Sequence, residues 1–342
     1  MDKQIILAVA GSGKTQNIIN RIENDSRALI VTYTVNNTSN LKKRILNKLG
    51  IIPKGVRIYT YFSFLMSFCV KPIVGRKIKI NGISYNEPPK FSKRKTKEHY
   101  ISSHHKLYHN RIAKLMIDFN KVSYISERIE KYFDLFCIDE VQDFAANDFN
   151  LLCNLAKTNT EILLVGDFFQ HTFDTSRDGN IQKNLHNNKD SYLKKLEDSG
   201  YTIDLTSLSH SYRCSPTICT FITNNLGIPL ASHRNDEVSI TLVSKELEID
   251  ELMSNDNIVK LFFKESHKYN GRTDNWGNTK GLDDFNDICI VLNKTSYKAY
   301  KDKMLSSLAP STKNKLYVAF TRAKGKIYLI DQELLGRFKK LL

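Results

Sequence analysis

Residues 8–15 combine glycine, lysine and threonine at a spacing that suits the binding of phosphate groups. The segment reads AVAGSGKT, with a short apolar run leading into it and a pattern of helical periodicity after it. In such a loop, glycines let backbone amides turn toward phosphates, the helix N-terminus adds positive potential, Lys14 reaches the outer phosphates and the Thr15 hydroxyl holds Mg²⁺. The residues expected to bind a nucleotide here are Ala10, Gly11, Ser12, Gly13, Lys14 and Thr15.

Residues 133–144 supply the acids that such a site needs. They read FDLFCIDEVQDF, an apolar run that ends in an Asp-Glu pair. We expect Asp139 to complete a magnesium site with Thr15, and Glu140 to orient and deprotonate the attacking water, since phosphoryl transfer needs little beyond positioning and charge neutralisation. Without the phosphate loop, an Asp-Glu pair after a strand is commonly just the N-terminus of a helix, where negative charge interacts favourably with the helix dipole. Together, the two segments predict ATP hydrolysis with Mg²⁺.

The elements that position these residues are predicted to alternate between strands and helices. Short apolar runs recur at residues 28–32, 133–138, 161–165, 288–292 and 326–330, and the stretches between them are long enough for helices. This alternation is typical of parallel sheets with crossover helices. A chain of 342 residues has room for two or three domains. The sequence therefore predicts an α/β protein with more than one lobe.

The charge balance favours a polyanionic partner. The chain has 51 Lys and Arg against 36 Asp and Glu, a formal charge of +15 and a pI near 9.4. Its most basic part lies between residues 71 and 114, where we expect a flexible loop within an inserted subdomain. This composition is equally compatible with a solvated surface and with phosphate contacts. The basic residues are Lys71, Arg76, Lys77, Lys79, Lys90, Lys93, Arg94, Lys95, Lys97, Lys106, Arg111 and Lys114.

Cysteine usage and hydropathy exclude several classes of protein. The six cysteines form no CxxC pair and show no zinc-type spacing with histidine, so neither a disulfide framework nor a metal-thiolate site is indicated. The apolar run near the start of the sequence, Ile5–Ala10, is too short for a membrane span and lacks a signal-peptide cleavage pattern. We therefore expect a cytoplasmic protein with reduced, buried thiols and no membrane partner.

With both phosphate-handling segments identified, the order of further motifs resembles that of UvrD/Rep-type superfamily 1 DNA helicases over most of the chain. Residues 29–34, LIVTYT, resemble a motif that touches single-stranded DNA in that family, and residues 60–64, TYFSF, resemble the next one, with phenylalanine in place of histidine. The alternative for each is an ordinary strand or aromatic core patch. The resemblance implies nucleic-acid contacts by Thr32, Tyr33, Thr34, Tyr61, Phe62 and Ser63.

The VGDFFQ segment at residues 165–170 resembles the family's GDxxQ motif. There the glutamine senses the γ-phosphate and couples it to DNA, a role that falls to Gln170. The family's aromatic and arginine residues that stack on bases usually follow this motif. Here only Phe173 stands in a comparable place. The resemblance therefore implies a reduced stacking apparatus.

Three later segments resemble motifs of the second lobe. In LSHSYRCS, at residues 208–215, Tyr212 would lie against adenine and Arg213 would reach the γ-phosphate. In LYVAFTRAK, at residues 316–324, Arg322 would be a second arginine finger. In NTKGLD, at residues 278–283, the resemblance places two residues beside the ribose, Gly281 and Asp283, and one near the DNA, Lys280.

Two departures from the family pattern modify these expectations. Only seven residues precede the phosphate loop, so the upstream glutamine motif that reads adenine is expected to be missing, and Gln4 is a poor substitute. Base selectivity should accordingly be loose. About sixty residues separate the Tyr212 motif from NTKGLD, so the large domain inserted there in relatives is expected to be absent or vestigial.

The sequence thus predicts two RecA-like P-loop lobes with parallel sheets and a small basic insertion in the first. The first lobe covers residues 1–70 and 132–201, the insertion 71–131 and the second lobe 202–342. The predicted function is ATP-dependent translocation or unwinding on single-stranded DNA or a single-strand/duplex junction, and the resemblance implies a 3′ to 5′ direction. One alternative is a DNA-activated ATPase that senses or remodels DNA for a partner such as a nuclease. A second, disfavoured by the two arginine motifs, is a small-molecule kinase.

Overall fold

The computed structural model describes residues 1–75, 78–282 and 285–340, which divide into two compact units. The N-terminal unit comprises Met1–Leu7, Lys14–Gly166 and Phe173–Asp204, and the C-terminal unit comprises Ala8–Gly13, Asp167–Thr172 and Leu205–Leu342. Arg76 and Lys77 of the basic segment, and Asp283 of the expected ribose contact, lie outside the described residues.

The described residues of the N-terminal unit form the first eight strands and nine helices. Its strands are β1 (Lys3–Leu7), β2 (Ala28–Thr32), β3 (Arg57–Thr60), β4 (Gly82–Ser84), β5 (Lys106–Tyr108), β6 (Leu135–Asp139), β7 (Glu161–Gly166) and β8 (Thr202–Asp204). Its helices are α1 (Lys14–Asn20), α2 (Val35–Leu49), α3 (Tyr61–Ser63), α4 (Lys71–Val74), α5 (Lys97–Tyr100), α6 (Ile112–Asp118), α7 (Val122–Tyr132), α8 (Ala146–Leu155) and α9 (Lys189–Asp198). A π-helical stretch, Phe64–Val70, joins α3 to α4.

Six of these strands form one parallel sheet in the order β3-β2-β6-β7-β1-β8. Strands β2 and β6 are buried along their whole length, as expected for parallel strands with both faces covered. Because all strands run the same way, Leu7, Asp139 and Gly166 end their strands at the same edge of the sheet. The topology therefore gathers the segments after β1, β6 and β7 at that edge.

The C-terminal unit contains a second parallel sheet. The strands of this unit are β9 (His210–Ser211), β10 (Ala231–Ser232), β11 (Ile240–Val243), β12 (Val259–Phe262), β13 (Thr273–Asn275), β14 (Ile288–Leu292) and β15 (Ile327–Asp331). The sheet has the order β11-β15-β14-β12-β13. Its helices are α10 (Pro216–Leu226), α11 (Glu246–Ser254), α12 (Lys294–Lys301) and α13 (Pro310–Phe320). Two units built on parallel sheets confirm the expected α/β class.

The observed division differs from the expected one in two places. Strand β8 extends the N-terminal unit to Asp204, beyond the expected end at residue 201, because its residues pair with β1. Residues 8–13 and 167–172 group with the C-terminal unit because they pack there: Ala10 belongs to that unit's apolar core and the Val9 amide donates to the Leu208 carbonyl at 3.0 Å. The assignment of residues 71–131 as a separate subdomain stays a prediction.

All six cysteines are free thiols, and five of them are buried. Among the described residues, no helix has the length and apolar character needed to cross a membrane.

Candidate functional site

The N-terminal unit brings the two expected magnesium ligands together. Thr15, in the first turn of α1, donates its hydroxyl to the Asp139 carboxylate at 3.0 Å, although 124 residues separate them in the chain. The Glu140 amide donates to the other carboxylate oxygen of Asp139 at 3.0 Å. A hydroxyl beside a carboxylate offers the hard oxygen ligands that Mg²⁺ prefers. The arrangement therefore fits the predicted cation.

The electrostatics of Asp139 support the same conclusion. Burial, and after it the neighbouring Glu140 charge, raises the pKa of Asp139 to about 7, while the Thr15 hydroxyl bond and Lys14 act in the opposite direction. Two adjacent buried carboxyl groups repel one another when both are ionised. A divalent cation at this position would relieve that repulsion, since its charge is the largest in its surroundings.

Glu140 is held in an unusual backbone conformation by its neighbours. Its φ of +63° lies in the left-handed region, which residues other than glycine rarely occupy. The Gln142 side-chain amide donates to the Glu140 carboxylate at 2.6 Å, and both residues are buried. A Cβ at Gly166 would overlap the Gln142 amide oxygen and lie 2.7 Å from Val141 Cγ1, so this close approach requires glycine. Gln142 therefore orients the predicted base, a role that the sequence analysis did not identify.

The backbone of the phosphate loop is described within the C-terminal unit. Gly11 and Gly13 have φ values of +73° and +91°, which explains glycine at both positions. The Ser12 hydroxyl donates to the Val9 carbonyl at 2.8 Å and closes the turn. The Tyr212 amide donates to the Gly11 carbonyl at 2.9 Å. The loop and the predicted adenine-binding tyrosine are therefore in direct backbone contact.

Tyr212 presents a flat ring to solvent. The side chain is 66% exposed, and its ring stacks on His233 with centroids 4.1 Å apart and planes 18° from parallel. His233 in turn contacts His210 at 5.0 Å. A ring supported from behind in this way could receive a base on its exposed face. The histidine support was not foreseen, because His233 lies twenty-one residues away in the chain.

The two predicted arginine fingers contact backbone carbonyls within the C-terminal unit. Arg213 donates to the Thr321 carbonyl at 3.0 Å. Arg322 is buried and donates to the carbonyls of Thr279 and Leu282 at 3.3 and 3.1 Å. Thr279 and Leu282 belong to the NTKGLD segment, so the structure brings this motif together with the LYVAFTRAK motif that contains Arg322. The role of either arginine at a γ-phosphate stays a prediction.

The remaining residues expected near the nucleotide are located in the same unit. Gln170 is buried at the end of a short 3₁₀ turn, Phe168–Gln170, whose start is capped by the Asp167 carboxylate. Gly281 has a φ of +82°, and Lys280 beside it is half-buried.

The predicted nucleic-acid residues form an aromatic surface, made by Tyr33, Phe62, Tyr85, His109 and Phe173. Ring centroids are separated by 4.8 Å for Tyr33 and Phe173, 6.2 Å for Tyr33 and Phe62, and 5.8 Å for Phe62 and Tyr85. His109 contacts Phe62 and Tyr85 at 6.2 and 5.4 Å. All five side chains are partly or largely exposed. Tyr85 and His109 were missed because they lie in the basic segment, outside every motif.

The structure does not support every nucleic-acid residue expected from the two DNA motifs. Tyr61 is only 1% exposed and packs against Phe144 at 4.6 Å, so its ring is not available to a base. Thr32 is buried at the end of β2. Thr34 is exposed but caps α2 by accepting the Asn37 amide. Ser63 is exposed, and its hydroxyl accepts from Thr60 at 2.8 Å. Tyr33 and Phe62 are half-buried, so part of each ring is accessible.

Part of the basic segment is engaged in ion pairs. Arg94 pairs with Asp118, whose side chain is buried, and Arg111 and Lys114 both contact Asp178 at 3.2 and 2.9 Å. These pairs reduce the number of cations available to phosphates. The lysines of the described segment that remain exposed are Lys71, Lys79, Lys90, Lys93, Lys95, Lys97 and Lys106.

A family profile and solved structures show similarity to this chain. The profile of the AAA_19 family, described as an AAA domain, matches residues 2–174. No curated protein sequence matches the chain. Two solved structures are similar: arterivirus nonstructural protein 10 (helicase) in complex with DNA, at 12% identity and a TM-score of 0.49, and the crystal structure of the same protein, at 14% and 0.47. Each alignment covers 98% of this chain and 62% of the arterivirus chain.

The family match covers both the phosphate loop and the Asp-Glu pair that the structure joins to it. It supports an ATP-hydrolysing enzyme of the helicase class. The chain belongs to the AAA_19 family of AAA domains, which is typical of UvrD/Rep-like superfamily 1 helicases, as the order of its motifs predicts.

Proposed function

We propose that this chain is an ATP-dependent translocase that moves 3′ to 5′ on single-stranded DNA. The observation that supports the proposal is the contact between Thr15 and Asp139 at 3.0 Å, because a hydroxyl beside a carboxylate at the start of the phosphate-loop helix offers the oxygen ligands that Mg²⁺ requires. Beside this contact, Gln142 holds the Glu140 carboxylate in one orientation. These groups are those required for ATP hydrolysis.

In the proposed reaction Thr15 and Asp139 would hold Mg²⁺, which would supply positive charge beside the phosphates. Lys14 binds the outer phosphates, and backbone amides of the loop cradle the others. Glu140 accepts the proton of the attacking water, and the Gln142 amide keeps its carboxylate directed toward that water. Gln170, Arg213 and Arg322 respond to the γ-phosphate. The arginine and glutamine roles rest on the family resemblance.

The proposed nucleic-acid site is the aromatic surface together with the exposed lysines of the basic segment. Aromatic side chains stack on bases without regard to sequence, and lysines track the phosphate backbone. The rings contact one another tilted or edge to face, with centroids 4.8 to 6.2 Å apart, and so form one continuous apolar surface against which bases can pack. Two rings of this surface, those of Tyr85 and His109, lie outside the two DNA-contacting motifs. The preference for DNA over RNA and the 3′ to 5′ direction come from the resemblance alone.

The binding site is tested by replacing two rings of the aromatic surface. Phe62→Ala and Tyr85→Ala should each weaken single-stranded DNA binding by about 1–3 kcal/mol, as base stacking contributes. Tyr124→Ala is the matched control, since Tyr124 is an exposed tyrosine on α7 outside the aromatic surface. Fluorescence anisotropy with an oligonucleotide measures the change. Equal affinities for all three variants would exclude the aromatic surface from binding.

The function is tested by coupling ATP turnover to movement. Turnover should require Mg²⁺, rise with single-stranded DNA and vanish in Lys14→Ala. Displacement of streptavidin from a 3′- or 5′-biotinylated oligonucleotide then reports translocation and its direction, and a forked duplex reports unwinding. Turnover unaffected by DNA would contradict a coupled motor. Turnover that rises with DNA without displacement of streptavidin or of a strand would instead support the DNA-sensing ATPase that works through a partner such as a nuclease.

A further inference from the structure

Two side chains of α13 hold both ends of the segment that carries Gln170. The Tyr317 hydroxyl donates to the Asp167 carboxylate at 2.9 Å, and the Asn314 side-chain amide donates to the His171 carbonyl at 3.1 Å. Residues three apart on a helix lie on the same face, so one face of α13 makes both bonds. Gln170 lies between the two anchored residues.

The same tyrosine also reaches the phosphate loop. Its hydroxyl oxygen accepts the Ala10 amide at 3.1 Å, and all three groups are buried. Burial, and after it the Asp167 charge, raises the pKa of Tyr317 well above its usual value, so the hydroxyl keeps its proton and donates it to Asp167. A single hydroxyl therefore connects the loop, the GDFFQ segment and α13.

The hydroxyl does more than fill space, because a phenylalanine would pack equally well. The Tyr317 ring already contacts Phe169 at 6.2 Å. Loss of the hydroxyl would remove a hydrogen bond from a buried carboxylate and leave a buried amide without this acceptor, each of which carries a desolvation cost. The helix that bears the hydroxyl ends at Phe320, two residues before Arg322.

We propose that Tyr317 and Asn314 are positioning residues that clamp Gln170 and the phosphate loop to α13. Through this clamp, a change at the γ-phosphate sensed by Gln170 moves the helix that precedes Arg322. The proposal rests on the proposed ATPase function and extends it with two residues of this chain. It assigns them an effect on catalysis rather than on nucleotide affinity.

The test compares steady-state kinetics of Tyr317→Phe and Asn314→Leu with a matched control. Tyr201→Phe is that control, because Tyr201 is also buried and its hydroxyl donates to a backbone carbonyl, that of Leu152, at 2.9 Å. Removing a bond to a charged group should lower kcat of Tyr317→Phe roughly 10-fold. KM for ATP should change less than about 3-fold. Melting curves report whether each variant is folded.

A second comparison separates positioning from general stability. In a Gln170→Ala background there is no sensor to position, so Asn314→Leu, which removes a bond to His171 and none to the phosphate loop, should cause little further loss of kcat. Full additivity of the two losses, or a kcat for Tyr317→Phe and Asn314→Leu equal to that of Tyr201→Phe, would overturn the clamp. If Tyr317→Phe fails to fold, Asn314→Leu in both backgrounds decides the matter. A wild-type chain without ATPase activity would instead refute the proposed function.

Discussion

The buried pair Asp139 and Glu140 leads to a prediction about stability that can be measured without turnover. Asp139→Asn should abolish ATP hydrolysis yet stabilise the protein in the absence of Mg²⁺. Burial and the Glu140 charge raise the pKa of Asp139 from 3.8 to about 7. The unfolded chain therefore releases this proton near pH 3.8, whereas the folded chain keeps it to about pH 7. Folding stability consequently falls as the pH rises between these values.

The size of the effect follows from these two pKa values. At 1.36 kcal/mol per pH unit, the raised pKa of Asp139 reduces folding stability by about 4 kcal/mol at pH 8, and by about 2 kcal/mol at pH 5, where the carboxyl must take up a proton on folding. Asparagine removes the charge and can keep both hydrogen bonds, since its oxygen accepts the Glu140 amide and its nitrogen donates to Thr15. The gain in stability should therefore be larger at pH 8 than at pH 5.

Melting temperatures in EDTA at both pH values measure this difference. For units of this size each kcal/mol corresponds to about 2–4 °C. Asp134→Asn is the control, since the Asp134 side chain is 72% exposed and its substitution should change little. Added Mg²⁺ should narrow the gap at pH 8 by binding the wild type only. The electrostatic reasoning would be refuted if the wild type were more stable than Asp139→Asn at pH 8. It would also be refuted if the stability gained by Asp139→Asn did not depend on pH.

Three further predictions concern the loop, the base and the basic segment. Gly11→Ala should destabilise the protein more than Gly50→Ala, because both glycines have a φ near +74° but only the Cβ at Gly11 would meet other atoms, 2.7 Å away; chemical denaturation compares them. A smaller effect at Gly11 would contradict this close packing. Glu140→Gln should slow single-turnover hydrolysis by about 10²–10⁴-fold while retaining binding of a fluorescent ATP analogue and of DNA. Loss of nucleotide binding would argue against its role as base. Joint substitution of Lys93 and Lys95 by glutamate should reduce the log-log salt slope of single-stranded DNA binding by up to about 0.7 per lost contact. An unchanged slope would assign these lysines to solubility.

Arg94 lies between Lys93 and Lys95 and carries the same charge, but it is left unchanged in this variant. Its guanidinium pairs with the buried Asp118, so substitution of Arg94 by glutamate would also disturb the fold. The amino-acid composition gives the charge of the segment but does not show which lysine and arginine side chains form ion pairs within the protein. Only the tertiary structure distinguishes a phosphate contact from an internal ion pair.

The sequence determined the local chemistry around the phosphate loop. Glycine at positions 11 and 13, followed by Lys14 and Thr15, requires a turn with positive φ at the start of a helix, and the structure has both features. The apolar runs predicted parallel strands, since strands covered on both faces must be apolar throughout. The acid after β6 then meets Thr15 because parallel strands end at one edge of the sheet.

Tertiary packing decided which side chains are accessible and what supports them. Tyr61 and Phe62 are adjacent aromatic residues on a helical turn, where neighbours point about 100° apart, and packing buries the first fully and the second only partly. No local pattern distinguishes them. The contact of Tyr317 with Ala10 spans 307 residues, and Tyr85 joins the aromatic surface from an unrelated segment. Such contacts depend on how distant segments pack, which the spacing of residues along the chain does not encode.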